Sequence, residues 1–262
     1  MSKILLSHGD GGGLTRELLE TIFYPLFQNS FLAQQGDAAC FPPEEGMLAV
    51  TTDSFVVNPL FFPGGDIGKL SVCGTVNDLA VSGAIPKFLT AAFVIEEGFE
   101  MQLLEKIVIS MAVTAREAKM QIVAGDTKIV EKGHGDGIFI NTTGIGFIPE
   151  RVKLGYQYIQ PGDKIIINGN IGDHGAAILT KREGVNFSGK SDCAPLGDII
   201  GRMLNRFSYA VKMMRDPTRG GVATTLKEIS LMSGVDFYLD ETMLPISEEV
   251  KSICDIFGLD PL

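Results

Sequence analysis

The chain reads as an α/β (α+β) protein of two domains. Segments rich in Val, Ile and Thr alternate with segments whose apolar residues recur at helical spacing. The length of 262 residues, 45% of them hydrophobic, suits one large domain or two of ordinary size. A punctuated stretch from Pro149 to Pro161 separates two such blocks, which sets domains at 1–150 and 151–262.

The glycine-dense run Ser7-His8-Gly9-Asp10-Gly11-Gly12-Gly13 opens the chain as a linker or as a loop whose amides close over an anion. Leu14 and Arg16 stand where a dinucleotide fingerprint needs glycines. A helix is expected from Leu14 to Phe27, with Leu18, Ile22 and Leu26 on one face, and an irregular stretch from Phe31 to Pro43. Met47 to Val57 reads as a strand carrying Asp53. Asn58 to Gly65 reads as a loop with exposed Phe61 and Phe62. Gly65-Asp66-Ile67-Gly68-Lys69 fails as a P-loop, because Pro63 and Leu70 occupy required Gly and Ser/Thr positions. The next helix begins near Asp66, ends at Gly83 and carries the polar pair Asn77-Asp78 inside an apolar run.

Lys87 to Ile95 is expected as a strand and Met101 to Ala118 as an amphipathic helix. Gln121 to Val130 is a strand interrupted by Gly125-Asp126-Thr127-Lys128, a sign of close backbone approach to a ligand. Gly137 to Ile148 is a further strand. Beyond the boundary, strands are expected at 164–168, 210–214 and 235–239, and helices at 176–182, 196–207, 222–232 and 248–257. The turn Gly172-Asp173-His174-Gly175 reads equally as an anion-binding helix start or a tight turn, with His174 capping or packing. Asp216-Pro217-Thr218-Arg219-Gly220-Gly221 is a helix-start signal in which Arg219 either holds a phosphate or pairs with Asp216.

Net charge of −10 argues against nucleic-acid or anionic-membrane partners, which need basic surface. No apolar run is long enough to span a bilayer and Met1 to Leu6 is too short for a signal peptide. Cys40, Cys73, Cys193 and Cys254 form no Cys-x-x-Cys, so a reducing cytoplasm is expected, with Cys73 and Cys254 as core thiols.

Four acids stand beside Gly, Thr or Asn: Asp37, Asp53, Asp78 and Asp126. Two carboxylates 4 Å apart repel by roughly 4 kcal/mol at an effective dielectric near 20, so a cleft holding several calls for a cation. Mg2+ takes a few carboxylates together with phosphate oxygens and water, and Lys128 offers a point charge to a phosphoryl group. The residues therefore imply an ATP–Mg2+ site outside the P-loop class.

Ser7-His8-Gly9 with its glycine run, Thr51 to Gly65, Cys73 to Pro86, Gly125 to Lys128, Gly172 to Gly175 and Asp216 to Gly221 together resemble the HypE family of hydrogenase maturation proteins. That family sits in the superfamily of aminoimidazole ribonucleotide synthetase and selenophosphate synthetase. The resemblance implies a first domain that forms a homodimer by pairing its sheet with its twin's in a barrel. It implies a second α/β domain and ATP in the cleft between the two. It also implies ATP-dependent dehydration of an S-carbamoyl group on a C-terminal cysteine to a thiocyanate, which supplies cyanide to the iron of [NiFe]-hydrogenase. The partners implied are other maturation proteins, a carbamoyltransferase and an iron-scaffold complex.

Carried onto this sequence, Asp37, Asp53, Asp78 and Asp126 hold Mg2+ and phosphates, and Asn77 and Thr127 orient them. Lys128, Asp126 and His174 act on the transferring group. His8, Gly9 and Gly125 approach the nucleotide, while His174, Asp216 and Arg219 line the second domain's side. The sequence given stops at Leu262 without the family's terminal cysteine, and Cys254 falls in an expected core helix. The expectation is then an incomplete second domain and nucleotide binding without dehydration in cis. The competing expectations are another ATP-dependent synthetase or kinase of the superfamily, and a non-catalytic scaffold docking through Phe61 and Phe62.

Overall fold

The computed structural model describes residues 3–34, 38–42, 44–218 and 220–261. The first domain is built round a four-stranded sheet and two long helices. Its strands are β1 (Met47–Phe55), β4 (Ile85–Glu96), β5 (Gln121–Val130) and β6 (Ile138–Ile148); a short hairpin, β2 (Phe61–Phe62) with β3 (Gly65–Asp66), leads into α3 (Ile67–Val81). Ahead of them lie α1 (Gly13–Leu18) and α2 (Tyr24–Phe27), and α4 (Met101–Glu117) links β4 to β5. The sheet order is β1-β6-β4-β5, with β4 and β5 parallel and the other pairs antiparallel.

The strand–helix alternation matches the sequence reading, but the 121–130 strand runs unbroken through Gly125 to Lys128, all four paired with β4, and its one register irregularity lies earlier, between Leu89 and Thr90 of β4. One helix differs: 14–27 is split by a π-helical turn at Leu19–Phe23. Pro25 stands just beyond and has no N–H to give, so the ladder is re-spaced there. The Phe61–Phe62 segment is a hairpin, and Phe62 is buried, its ring edge-on to His174 at 5.4 Å.

α3 is fixed at both ends. Asp66 caps it by accepting from the Gly68 and Lys69 amides at 2.7 and 3.2 Å, and also accepts from Ser110 Oγ at 2.6 Å. Gly83, at φ +88°, turns the chain out of the helix toward β4, a conformation glycine adopts without strain. Ile67, Val72, Val76 and Leu79 join Leu89, Ala91, Phe93 and Ile95 of β4 and Leu104, Ile107, Val108 and Met111 of α4 in one buried core.

The second domain holds α5 (Asp173–Glu183), α6 (Gly197–Phe207), α7 (Gly221–Ser233) and α8 (Glu248–Phe257). α5 and α8 share a small core of Ala176, Val250 and Ile253. The strands expected at 164–168, 210–214 and 235–239 are not formed. Their backbones find no ladder partner, and Ile166 and Tyr238 are 88% and 93% exposed. The first and third of these segments instead line an open groove of about 540 Å3. Among the described residues no helix is long and apolar enough to cross a membrane.

Candidate nucleotide-binding site

The site grows from the junction of α3 and β1. Gly74 and Asp78 lie one turn apart on the face of α3 turned toward β1. A side chain at Gly74 would strike the Phe55 ring at 2.8 Å, so glycine is what lets helix and strand close. Thr51 Oγ1 donates to Asp78 Oδ2 at 2.9 Å. Asp53 is two residues further along β1, hence on the same face, and its Oδ1 accepts the Ser54 amide at 2.8 Å. Asp216 arrives from the second domain on the segment that precedes α7.

Burial raises the Asp78 carboxyl above the usual carboxylate range; the Thr51 hydroxyl and Arg215 pull it down, and Asp53 pushes it up. Burial likewise raises Asp216, and the charges on Asp78 and Asp53 add to the effect. Three carboxyl groups from two domains thus share one field, answered by Arg215. That guanidinium also donates to Tyr156 Oη at 3.1 Å and to Glu228 Oε2 at 2.9 Å.

Such an arrangement stores repulsion that a cation relieves. Among the described residues no group of three His, Cys, Asp or Glu side chains is close enough to enclose a metal ion alone. Hard oxygen donors in ones and twos suit Mg2+, which completes its shell with phosphate oxygens and water, and a transition metal would want nitrogen or sulfur.

The remaining expected site residues are placed differently. Asn77 has both ends of its amide committed: Nδ2 donates to Ala194 O at 3.1 Å and Oδ1 accepts the Leu196 amide at 2.8 Å. It ties α3 to the second domain. His8 is buried and accepts the Leu5 amide at Nδ1, 3.0 Å away, while Gly9 lies against Ile129 of β5. His174 meets Ser191 Oγ at 2.9 Å and the Phe62 ring, and burial lowers its pKa, opposed by Asp192.

Asp126 and Lys128 stand apart. Asp53 pairs through Thr142 and Ala91 with Gly125, so Gly125 and Thr127 share its side of the sheet, and Asp126 and Lys128 project from the other. They are exposed and paired at 3.5 Å on the strand at the far edge, about 14 Å across the sheet at the usual strand spacing. Within one chain the sheet separates them from Asp78. Asp37 and Arg219 lie outside the described residues. Arg215 and Thr51 went unassigned in the sequence reading, although a cation directly before Asp216 and a hydroxyl on the face of Asp53 were signals for both.

Comparison with known proteins gives consistent matches. The AIR synthase related protein N-terminal domain matches residues 35–148, and the corresponding C-terminal domain matches residues 160–262. A protein named carbamoyl dehydratase HypE from Rhizobium leguminosarum bv. viciae is 47% identical over 262 residues, covering 99% of this chain and 75% of its own. Its namesake from Cupriavidus necator is 48% identical over 263 residues with the same coverage. A crystal structure of the hydrogenase maturation protein HypE in complex with ATP superposes with a TM-score of 0.94 at 45% identity, covering 98% of this chain and 77% of that one. A HypE–HypF complex matches with a TM-score of 0.80 at 51% identity, covering 96% and 80%.

Proposed function

The chain belongs to the HypE family of carbamoyl dehydratases among the AIR synthase related proteins, and from that membership we propose that it binds ATP with Mg2+ and dehydrates an S-carbamoyl group to a thiocyanate during hydrogenase maturation. The observation that carries the reading is the electrostatic field that Asp53, Asp78 and Asp216 share across the domain junction, with Arg215 as the opposing cation. A relative of 45% identity was solved with ATP bound.

An amide oxygen leaves poorly. Once it carries a phosphoryl group from ATP it departs as phosphate, and loss of the nitrogen's protons gives the nitrile of a thiocyanate. The protein's part is positioning and charge neutralisation. Asp53, Asp78 and Asp216 would each supply oxygens, in ones and twos, to Mg2+ already carried on the phosphates, and the metal when bound screens the phosphate charges. Arg215 faces the negative charge that develops on the phosphoryl oxygens. Asp78 keeps its orientation through Thr51.

Asp126 and Lys128 enter this reading from a second copy of the chain. The sheet face that carries them also exposes Leu48, Val50 and Val94, the kind of surface a twin sheet covers. The solved HypE–HypF complex supports another maturation protein as a partner; in this reading a carbamoyltransferase supplies the group and an iron-scaffold complex receives the product.

The test is calorimetric titration with ATP in the presence and absence of Mg2+, followed by mass spectrometry of an S-carbamoylated cysteine peptide incubated with protein and Mg-ATP. Loss of one water from the peptide with stoichiometric ADP is expected. ATP binding without that loss would overturn the dehydratase reading, and absence of ATP binding would overturn the site.

A further inference from the structure

The segment 191–196 lies along α3, the first domain's central helix. Ser191 donates its amide to Pro63 O at 2.8 Å, and Asn77 clasps the backbone of Ala194 and Leu196. A side chain on Gly64 would meet the Ser191 backbone at 2.7 Å, so the contact is backbone on backbone. Cys193 therefore faces the helix turn before Asn77. Cys73 occupies that turn, one turn from Asn77 on the same helix face. Both are free thiols, Cys73 2% exposed and Cys193 partly exposed.

We infer that Cys73 and Cys193 form an oxidant-gated pair in which peroxide converts the two thiols to a disulfide that covalently locks the second domain onto α3. The docked segment sets the two thiols close enough to act on each other's ionisation, and that mutual influence with the Lys69 ammonium favours a thiolate at Cys193, whereas Cys73, buried, is held as the thiol. Lys69 is itself anchored, donating to Gly64 O at 2.9 Å. Cys193 is thus the accessible nucleophile and Cys73 the buried resolving group.

The steps balance. The Cys193 thiolate attacks one oxygen of hydrogen peroxide, the O–O bond breaks, and a sulfenic acid and hydroxide result. Cys73 sulfur then attacks the Cys193 sulfur, the S–O bond breaks, and the sulfenic hydroxyl leaves with the proton of Cys73 as water, while the hydroxide of the first step takes up the proton that Cys193 had released to solvent. Two thiols and one peroxide give one disulfide and two waters. The dithiol state returns by exchange with a reducing dithiol. None of these residues belongs to the nucleotide site, so the inference stands apart from the function proposed above.

The intact protein is treated with hydrogen peroxide, alkylated, digested without reductant and mapped by mass spectrometry. Two of the four thiols are expected to become unreactive, with the peptides of Cys73 and Cys193 joined. Dithiothreitol restores both. A C40S/C254S variant keeps the cross-link and C193S abolishes it while leaving Cys73 unoxidised. Cys73 alkylatable after Cys193 has gone to sulfinic or sulfonic acid would overturn the proposal, as would a cross-link that uses Cys40 or Cys254, or no loss of thiols at all.

Discussion

Asp78 costs folding free energy: its ionised form is disfavoured by burial and by Asp53, with one hydroxyl and one guanidinium in compensation. Replacing it by Asn keeps the shape and removes the charge. D78N is expected to lower Mg-ATP affinity at least ~10-fold, about 1.4 kcal/mol, without lowering Tm; titration and thermal melts check both. His174 gives a pH signature of its own. Its folded pKa lies below the unfolded value because burial disfavours the imidazolium. Its contribution to stability is therefore present above the unfolded pKa and lost as pH falls from there through the lowered folded value. H174Q is expected to flatten that part of the Tm–pH curve on the acid side of neutrality, measured as wild type minus variant. Unchanged curvature would place the titrating group elsewhere.

At the scale of elements, α3 is the part on which both domains depend. Its cap at Asp66, its glycine contact with β1 at Gly74 and its clasp at Asn77 all belong to one helix, which thereby positions Asp78 and docks the 191–196 segment. Asn77→Ala removes two hydrogen bonds to backbone across the junction and is expected to cost roughly 2 kcal/mol, read as a lower urea midpoint. Asp66→Ala removes the cap and the Ser110 bond and is expected to cost about 1–2 kcal/mol by the same measurement. The helices and the four long strands were legible in the sequence because their periodicity is local. The segments at 164–168, 210–214 and 235–239 carry strand-like composition, yet a strand exists only where a second backbone satisfies its amides, and composition cannot supply that partner.

For the whole molecule, the proposed pairing with a second copy makes the exposed sheet face the feature to test. Val50 is 60% exposed on β1, one of the two edge strands, beside exposed Leu48. Val50→Lys is expected to shift the protein toward monomer in sedimentation at fixed concentration, with the fold intact by circular dichroism. A mixed dimer of one D78N chain and one D126N chain distinguishes the two placements of Asp126. If Asp126 serves its twin, one of the two sites keeps both carboxylates and activity returns relative to either homodimer. If it serves its own chain, both sites are broken and nothing returns.

The sequence by itself determined the alternation of elements, the helix from Asp66 to Gly83 and the family, because helical and strand periods, caps and glycine-rich turns are written in neighbouring residues. It also picked out Asp53, Asp78 and Asp216. Only the tertiary structure decided which of the acids meet. Strand order and side-chain parity put Asp126 and Lys128 on the far face of the sheet, and the docking of 191–196 made Asn77 a clasp between the domains. Those are relations between residues distant along the chain, fixed by sheet register and by which backbone lies against which helix, and no local pattern encodes them.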